Sequence, residues 1–486
     1  MNGPTSDARS IPSHGAAEGT GHTFPPWSSR VTPQAKQRLS VLPSTARGLV
    51  IFAALLSVTI RAAHWPQYRG PNASGVDDSR PAPIAWEVGS GENILWKTPI
   101  PGLAHASPIV WGDRIYVATA VAPGNAALRV GLYGDIESVT ERDPHQWRLL
   151  ALERDTGRIV WNVQAHEGVP KSKRHPKASP CNSTPATDGR HIVALLGSEG
   201  LYCFNPDGSL AWTKDLGPMD SGYFQVPSAQ WGFASSPVLH DGRVLVLCDV
   251  QTNSFLAAFD VRDGRELWRT PRHDVPTWGT PTVVAGAGRV QIVVNGWHET
   301  AGYDFATGRR RWWLAGGGDI PVPTPIVAHD LLVLSSAHGK LRPMRAIRPD
   351  AAGDITPSEP GQTNAAIAWV HPRQGNYMQT PICVGDWVWG CADTGVLTCF
   401  DARTGEIRYS ERLASGQGYT ASPVSDGRNL FFTSETGNVF VVPATPQFGV
   451  LRLNPLGETC LATPAIADGA LYFRTRHHLI AIGGKH

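Results

Sequence analysis

The sequence has 486 residues, of which 41% are hydrophobic and 17% are charged, with 51 Gly, 40 Pro and 17 Trp. This low charge content argues against a disordered chain and against a nucleic-acid-binding protein. The formal net charge of +2 comes from the first 63 residues, which hold six basic and two acidic residues. The remainder has 37 basic and 39 acidic residues, so it has no basic field that would attract phosphates.

The N-terminal region contains one apolar segment, "LVIFAALLSVTI" at residues 49–60, which follows Arg47. Twelve residues are too few to span a bilayer as a helix, but they match the hydrophobic region of a secretory signal. The long stretch before the segment and Arg61, close to the expected cleavage point, are unusual for such a signal, and a buried or anchoring segment is the alternative. We predict export, with residues 48–63 as the signal segment and residues 1–47 as a disordered extension or the product of a misassigned start codon.

Two short phrases then alternate along the chain. The first has the form x-D-x-x-T-G-x-x-x-W and occurs, with Asp263 in place of Thr, as "FDVRDGRELW" at residues 259–268. It recurs, with variation, at residues 152–161, 204–212, 303–312 and 400–409. Asp260 can bond its own backbone and Gly264 can adopt the left-handed conformation, so the phrase predicts a hairpin between two strands.

The second phrase is a Ser-Pro or Thr-Pro pair that occurs eight times. The pairs begin at Ser107, Thr184, Ser236, Thr280, Thr324, Thr380, Ser422 and Thr463. The shortest intervals between them are 41 to 44 residues, and the one that begins at Ser236 shows the full pattern of a turn pair, a β-branched run and the hairpin phrase. Four short strands at this period predict an all-β fold, an eight-bladed β-propeller of four-stranded antiparallel blades. Proline fits the start of an innermost strand, which lines the channel as an edge.

The aromatic residue that ends the hairpin phrase has a structural role in this fold, because its wide apolar plate fills the wedge between diverging blades. We assign this role to Trp96, Trp161, Trp212, Trp268, Trp312, Trp369 and Tyr409, and the turn to Gly157, Gly208, Gly264, Gly308 and Gly405. The last repeat supplies three strands, whereas residues 93–102 contain a lone strand before the first Ser-Pro pair. We predict that this strand closes the eighth blade, with residues 64–92 as a leader packed on a propeller of residues 93–486.

Four insertions lengthen the connections between strands. They lie at residues 121–146, 165–180, 213–231 and 341–365. Loops of this length on a compact ring are the usual places where ligands or partners bind.

The repeated phrase resembles the tryptophan-docking repeat of PQQ-type propellers, which quinoprotein alcohol dehydrogenases share with BamB-like outer-membrane assembly factors. Segments such as "WPQYRGPNASGV" at 65–76 and "WGFASSPVL" at 231–239 are similar to those of exported PQQ-binding-like repeat proteins. The resemblance covers residues 64–485 and implies the propeller fold. It does not fix an activity, because the family includes both enzymes and non-enzymes.

For a quinoprotein dehydrogenase, the resemblance implies PQQ in the funnel, a Ca²⁺ ion held by carboxylate and amide oxygens, an Asp base and commonly a Cys-Cys disulfide. The sequence has no Cys-Cys pair. The residues two places before each Ser/Thr-Pro pair should face the channel mouth, and among them Asn182 is the one obvious oxygen ligand for Ca²⁺. Loop carboxylates such as Asp215, Asp220 and Glu299, and the neighbouring His298, are more typical of solvated loops. We therefore predict no metal site and no catalytic residue.

Polar and aromatic residues near the same mouth could nevertheless hold a planar cofactor, PQQ with Ca²⁺ being the candidate. The candidate cofactor-binding residues are His105, Asn182, Trp231, Trp278, Tyr377 and Tyr419. Packing of the blade ends explains the aromatic residues equally well.

A basic run, "KSKRHPK", lies on the connection between the first two blades, on the face of the channel mouth. Its candidate partner-binding residues are Lys171, Lys173, Arg174 and Lys177, which would meet an acidic ligand or partner; an ordinary solvated loop is the alternative. Cys181 and Cys460 occupy equivalent places in two repeats, and a disulfide between them stays open.

The sequence favours an exported, monomeric propeller that acts as a binding or assembly scaffold for an envelope protein partner, without nucleic acid and without a transmembrane span in the mature form. The alternative is a PQQ-dependent quinoprotein oxidoreductase of the alcohol or sugar dehydrogenase type. A carbohydrate- or peptide-binding propeller is a third possibility.

Overall fold

The structure is a computed structural model that describes residues 64–124, 128–131, 136–286 and 288–484. The predicted extension at 1–47 and the signal segment at 48–63 lie outside the described residues. Within the described ranges no helix is long and apolar enough to cross a membrane. Their helical content is two 3₁₀ turns, Pro71–Ala73 and Gly197–Glu199.

The strands form eight blades of four antiparallel strands. In blades 1 to 7 these strands follow the order of the chain from the innermost to the outermost, whereas the outermost strand of blade 8 comes from the N-terminal side. Blades 1 and 2 consist of Ile109–Trp111, Arg114–Val121, His145–Glu153 and Ile159–Gly168, then Ala186–Thr187, Ile192–Leu195, Leu201–Phe204 and Leu210–Lys214. Blades 3 and 4 consist of Val238–His240, Arg243–Cys248, Phe255–Asp260 and Glu266–Pro271, then Thr282–Gly286, Arg289–Val294, Glu299–Asp304 and Arg310–Ala315. The predicted eight-bladed propeller is thus confirmed.

The second half of the ring repeats this arrangement. Blades 5 and 6 consist of Ile326–Ala328, Leu331–Ser335, Met344–Ile347 and Ile367–His371, then Ile382–Val384, Trp387–Cys391, Val396–Asp401 and Ile407–Arg412. Blades 7 and 8 consist of Val424–Ser425, Asn429–Thr433, Asn438–Pro443 and Arg452–Pro455, then Ala465–Ala467, Ala470–Arg474, His478–Ile482 and Ile94–Pro99. The last of these strands, Ile94–Pro99, pairs antiparallel with His478–Ile482 and closes the ring as predicted.

The repeated hairpin has the predicted geometry. In blade 3 the strands Phe255–Asp260 and Glu266–Pro271 pair around it, with Gly264 at φ 68°. The Asp260 carboxylate accepts the backbone N–H of Arg262 at 3.0 Å. The turn is therefore held by a side chain within it and by a residue free of the Cβ penalty at positive φ.

Most of the repeat tryptophans join one blade to the next. The indole ring packs over the hairpin glycine of the following blade, and its N–H donates to a carbonyl of that turn. The pairs are Trp96 with Arg154 (2.8 Å), Trp161 with Pro206 (3.0 Å), Trp212 with Val261 (2.8 Å), Trp268 with Phe305 (3.3 Å) and Trp369 with Ala402 (3.1 Å). Each indole thus fills the wedge between two sheets and satisfies its own donor across the gap.

Trp312 and Tyr409 depart from this pattern. The Trp312 N–H donates to Gln291 Oε1 of its own blade at 2.9 Å, because insertion residues cover the ring instead of a hairpin glycine. Within that insertion Gly353–Asp354 pairs in parallel with the outer strand Arg310–Ala315 and gives blade 4 a fifth strand. The Tyr409 hydroxyl accepts the Trp389 indole N–H at 2.8 Å within blade 6.

The Ser/Thr-Pro pairs form an inner ring of hydrogen bonds. Seven of the eight hydroxyls, from Thr184 to Thr463, accept the backbone N–H of the corresponding residue in the preceding blade. The seven bonds run from Ser107 to Thr184, Thr184 to Ser236, Ser236 to Thr280, Thr280 to Thr324, Thr324 to Thr380, Thr380 to Ser422 and Ser422 to Thr463, at 2.9 to 3.1 Å. The side-chain oxygens thus pair N–H groups that the edge of an innermost strand would otherwise leave unsatisfied.

The core consists of apolar layers between neighbouring blades. Cys181 belongs to the layer between blades 1 and 2, whereas Cys460 belongs to the layer that contains blade 8. Both thiols are free, and burial raises the pKa of each to about 12. The disulfide that the sequence left open is not formed in the structure.

Candidate functional site

One cavity of about 180 Å³ occupies the channel mouth, where the chain enters the innermost strand of each blade. Its lining includes the inner ring and the residues just before it in several blades. The residues that matter below are Tyr68, His105, His175, Lys177, Asn182, Trp231, Trp278, Ile320, Tyr377, Met378, Thr420 and Leu461.

The leader crosses and closes the other end of the channel. Its backbone bonds to Val110 of blade 1 at Trp65 and to Ser425 of blade 7 at Gly75, both at 2.8 to 2.9 Å. Tyr68 forms part of the cavity lining, and its hydroxyl lies 3.2 Å from the hydroxyl of Ser422 in the inner ring. The leader therefore supplies part of the cavity lining next to the inner ring.

Arg69 fixes the leader in the channel. Its buried guanidinium donates to the carbonyls of Pro423 at 2.9 Å, Pro381 at 3.0 Å and Ala73 at 3.2 Å. Burial lowers the pKa of Arg69 to about 10, so the group remains a cation at neutral pH. Because backbone carbonyls compensate the charge, the leader is tied to blades 6 and 7 without a carboxylate.

Three of the four insertions meet around the mouth; we call their described residues, 128–131, 136–146, 165–180 and 213–231, the rim. The Ser138 hydroxyl donates to the Gln230 carbonyl at 3.0 Å and accepts the Gln230 N–H at 2.7 Å. Arg174 binds the Glu141 carboxylate through Nε at 2.9 Å and Nη2 at 2.6 Å. The three insertions are thus connected to one another and form one structure over the cavity.

Aromatic side chains form one side of the cavity. The Trp231 ring stacks on Tyr223 of the short hairpin Gly222–Tyr223 and Val226–Gln230, with centroids 5.4 Å apart and an interplanar angle of 4°. Trp231 also packs against Trp278 at 5.3 Å. We call Trp231, Trp278 and Tyr377 the aromatic wall.

A buried ion pair supports Trp278. The indole N–H of Trp278 donates to the Gly232 carbonyl at 2.8 Å, while the neighbouring Thr277 hydroxyl donates to Asp249 at 2.9 Å. Asp249 accepts two bonds from Arg272, at 2.7 and 3.0 Å, and all of these groups are buried. The sequence analysis missed this network, although an Asp after the apolar run of blade 3 was a local signal for a buried charge.

Two histidines and a lysine form the opposite, polar side of the cavity. His105 Nε2 lies 2.9 Å from the Lys177 carbonyl, and the Lys177 N–H donates to His175 Nδ1 at 3.0 Å. Burial lowers the pKa of His105 to about 4, and burial together with the Lys177 ammonium does the same for His175. Both imidazoles are therefore neutral at pH 7.

The Lys177 ammonium is paired with Glu435, which the sequence analysis missed. Lys177 Nζ donates to Glu435 Oε1 at 3.0 Å, the Thr420 hydroxyl donates to the same oxygen, and the Gly131 N–H donates to Oε2 at 2.9 Å. Burial opposes ionisation of Glu435, but the Lys177 ammonium and these donors lower its pKa. The cation in the cavity wall is thus compensated within the fold.

The structure brings five of the six predicted cofactor-binding residues to this cavity. These are His105, Asn182, Trp231, Trp278 and Tyr377. Tyr419 instead lies in the apolar layer between blades 6 and 7, where it packs near Gly395 and Phe440 and does not line the cavity. Its position two residues after an exposed turn gave no indication of this burial.

The basic run is split between the surface and the interior. Lys171 and Lys173 are exposed, and the Lys171 ammonium lies 3.6 Å from Glu199. Arg174 and Lys177 are buried and bind Glu141 and Glu435. The expected anion-binding surface is therefore reduced to the first two lysines.

The residues present do not match PQQ and Ca²⁺. Among the described residues that line the cavity none is an Asp or Glu, and no cluster of metal-binding side chains occurs in the described ranges. Calcium needs six or more oxygen ligands, normally including carboxylates, and an anionic cofactor needs uncompensated cations. Glu299 binds Arg310 and Asp215 binds the Gly217 N–H, so these loop carboxylates are used elsewhere.

Two solved dehydrogenase structures share the fold, and a third solved structure is similar at a lower TM-score. BamB from Moraxella catarrhalis is 14% identical, with a TM-score of 0.49, 76% of this chain and 98% of that chain being covered. A europium-containing methanol dehydrogenase is 12% identical, with a TM-score of 0.58 and coverage of 85% and 89%. Quinohemoprotein alcohol dehydrogenase from Comamonas testosteroni is 11% identical, with a TM-score of 0.58 and coverage of 87% and 81%. At these identities the likeness concerns the fold alone.

A search of curated protein sequences found no match. A family model described as "Outer membrane protein assembly factor BamB" matches residues 145–314 and 197–445, which together span more than half of the chain. The repeat, the ring of eight blades and this match lead to one conclusion: the chain belongs to the BamB-like family of PQQ-type β-propellers.

Proposed function

We propose that the protein is an exported binding scaffold of the cell envelope that receives a protein partner at the rim. One observation carries this proposal: three insertions of the propeller are bonded to one another around the mouth of the cavity. Long loops on a rigid scaffold are where binding residues concentrate. A rim built from three blades presents a larger and more fixed surface than any single loop.

The chemistry of the cavity supports a scaffold over a dehydrogenase. Its cation is compensated by Glu435, its histidines are neutral and its described lining contains no carboxylate. A hydride or proton transfer from a substrate alcohol would need a base at the mouth, and a neutral imidazole with a pKa near 4 is a weak one at pH 7.

Export is part of the proposal. The apolar segment at 49–60 and the family description, which names outer-membrane assembly, support it. The exposed Lys171 and Lys173 at the rim are the groups that would attract an acidic surface of the partner, whereas Arg174 and Lys177 hold the rim itself.

Site-specific photocrosslinking in the cells that produce the protein tests this proposal. A crosslinking amino acid placed at Lys173, which is exposed on the rim, should capture one discrete partner protein in the envelope fraction. The matched control is Leu210, which is 53% exposed on the outer strand of blade 2. Equal capture at both positions, or a product confined to the cytosol, would contradict the proposal.

A further inference from the structure

The two histidines of the cavity are held in opposite tautomers by one residue. The Lys177 carbonyl can only accept, so His105 Nε2 carries the proton and Nδ1 is left as an acceptor. The Lys177 N–H can only donate, so His175 Nδ1 is an acceptor and Nε2 carries the proton. The backbone of Lys177 therefore fixes both rings.

Each of these rings has a second nitrogen that the Lys177 backbone does not bind. Neither His105 Nδ1 nor His175 Nε2 has a hydrogen-bond partner within the part of the chain that the structure describes, and neither is a fully buried orphan atom. Both residues line the cavity. The polar side thus offers one fixed acceptor and one fixed donor, both uncharged.

The side of the cavity opposite the histidines is apolar, so it selects a ligand by its shape. The aromatic wall and the apolar side chains of Ile320, Met378 and Leu461 surround the remaining space. A volume of about 180 Å³ is close to the roughly 150 Å³ of an engineered apolar cavity that binds benzene. The space is therefore large enough for a single aromatic ring.

We propose that this cavity binds an uncharged aromatic ring that carries a hydroxyl group, that is, a phenol. The ring packs against Trp231, Trp278 and Tyr377, and the hydroxyl donates to His105 Nδ1. This inference rests on the proposed function, since it places the ligand in the cavity beneath the rim. The phenol is either a free small molecule or a tyrosine side chain of the partner.

Other ligand classes fit the cavity less well. An anion would meet a Lys177 ammonium that Glu435 already neutralises, and a cation would meet no carboxylate in the described lining. A sugar ring needs polar partners around its whole circumference, whereas the aromatic wall makes one side of this cavity apolar.

Ligand binding to the purified chain tests the proposal without any partner. Binding of 4-fluorophenol is followed by ¹⁹F NMR and by calorimetry, with 4-fluorotoluene as a probe of similar shape that lacks the hydroxyl. We expect saturable binding of the phenol that is about tenfold tighter than that of the toluene, as for loss of one hydrogen bond. Equal affinities, or no saturable binding, would overturn the proposal.

A pair of histidine variants locates the site. His105→Phe keeps a ring but removes the acceptor, and we expect it to abolish the preference for the phenol. His240→Phe makes the same change on the first strand of blade 3, outside the described lining, and should leave the preference intact. Loss of the preference in both variants, or in neither, would contradict the assignment.

The two sources of the phenol are distinguished by N-acetyltyrosinamide. Binding comparable with that of 4-fluorophenol supports a tyrosine of the partner, whereas binding of the fluorophenol alone supports a free small molecule. Failure of both phenols, with Lys173 still crosslinking to a partner, would overturn this inference while leaving the proposed function in place. Phenol binding without a crosslinked partner would support this inference and contradict the proposed function.

Discussion

At the scale of single residues, the tryptophan–glycine pairs show how closely the sequence repeat and the geometry agree. A Cβ added to Gly264 would lie 2.7 Å from Trp212, and Gly264 has φ +68°. Both the turn and the docked ring therefore require glycine. These residues could be assigned from sequence because the spacing within the repeat is local and recurs.

The docking contact predicts the cost of filling that space. Gly264→Ala should lower the free energy of unfolding by about 1 to 3 kcal/mol more than Gly242→Ala, owing to overpacking against Trp212. Gly242 is the matched control, because its φ is +70° and no atom lies within 4 Å of its added Cβ. Chemical denaturation measures both, and equal losses would show that the backbone conformation alone requires glycine.

The histidines of the cavity predict a pH dependence of stability. The pKa of His175 is about 4 in the folded chain and about 6.5 in the unfolded chain, so the unfolded chain takes the proton first as pH falls. Stability is fully present above pH 6.5 and declines towards pH 4. Arg174, Lys177, Glu435 and His105 face the same region and are kept in a variant at this position.

The variant His175→Asn isolates the contribution of His175 to this pH dependence, because the Asn side-chain oxygen can still accept the Lys177 N–H. Between pH 7 and 4.5 we expect wild-type protein to lose about 2 kcal/mol more free energy of unfolding than the variant. Denaturation at the two pH values measures the difference. Parallel losses in the two proteins would mean that His175 is protonated in the folded state as easily as in the unfolded chain.

Other residues of the site could not be predicted from sequence. Glu435 stands 258 residues after Lys177, and no local pattern connects them. The tautomers of His105 and His175 depend on one backbone unit that only the folded insertion places between them. Sequence position located the channel mouth, but the compensation of its charges is a property of three blades together.

At the scale of elements, the inner ring explains why each blade begins with Ser or Thr before Pro. A hydroxyl of this ring, such as that of Thr380 or Ser422, accepts the backbone N–H of the equivalent residue in the blade before it. The proline that follows has no N–H to satisfy. The strand pattern made the blades predictable. The parallel pairing of Gly353–Asp354 with blade 4 was not, because two residues carry no periodicity.

One substitution tests the inner ring away from the cavity. Thr380→Val keeps the shape of the side chain but leaves the buried Thr324 N–H without its acceptor, which should cost about 1 to 3 kcal/mol. Thr380→Ser retains the hydroxyl and is the control. Thermal and chemical unfolding of the two variants should separate clearly, and a Val variant as stable as the Ser variant would mean that this hydrogen bond contributes little.

At the scale of the whole molecule, closure of the ring depends on the strand Ile94–Pro99 at the N-terminal side of the propeller. The sequence predicted this closing strand, because the last repeat supplies three strands where the others supply four. The leader adds a second attachment, through Arg69 and Trp65, whose path across the channel was not evident from its composition.

Two shortened chains test closure. A chain that begins at His64 keeps the leader and the closing strand and should unfold at the temperature of the full chain. A chain that begins at Pro101 leaves His478–Ile482 as an open edge, so it should unfold at lower temperature and aggregate. Circular dichroism and light scattering measure both, and equal melting of the two shortened chains would contradict the closing role.

The central claim is that the channel mouth is an uncharged binding cavity beneath a partner-binding rim and does not hold a quinone cofactor. The most direct measurement is titration of the purified protein with PQQ, with and without Ca²⁺, followed by quenching of tryptophan fluorescence. We predict no saturable binding at tens of micromolar, and no effect of Ca²⁺. Tight, Ca²⁺-dependent quenching that is lost in Trp278→Ala would contradict the account and identify an oxidoreductase.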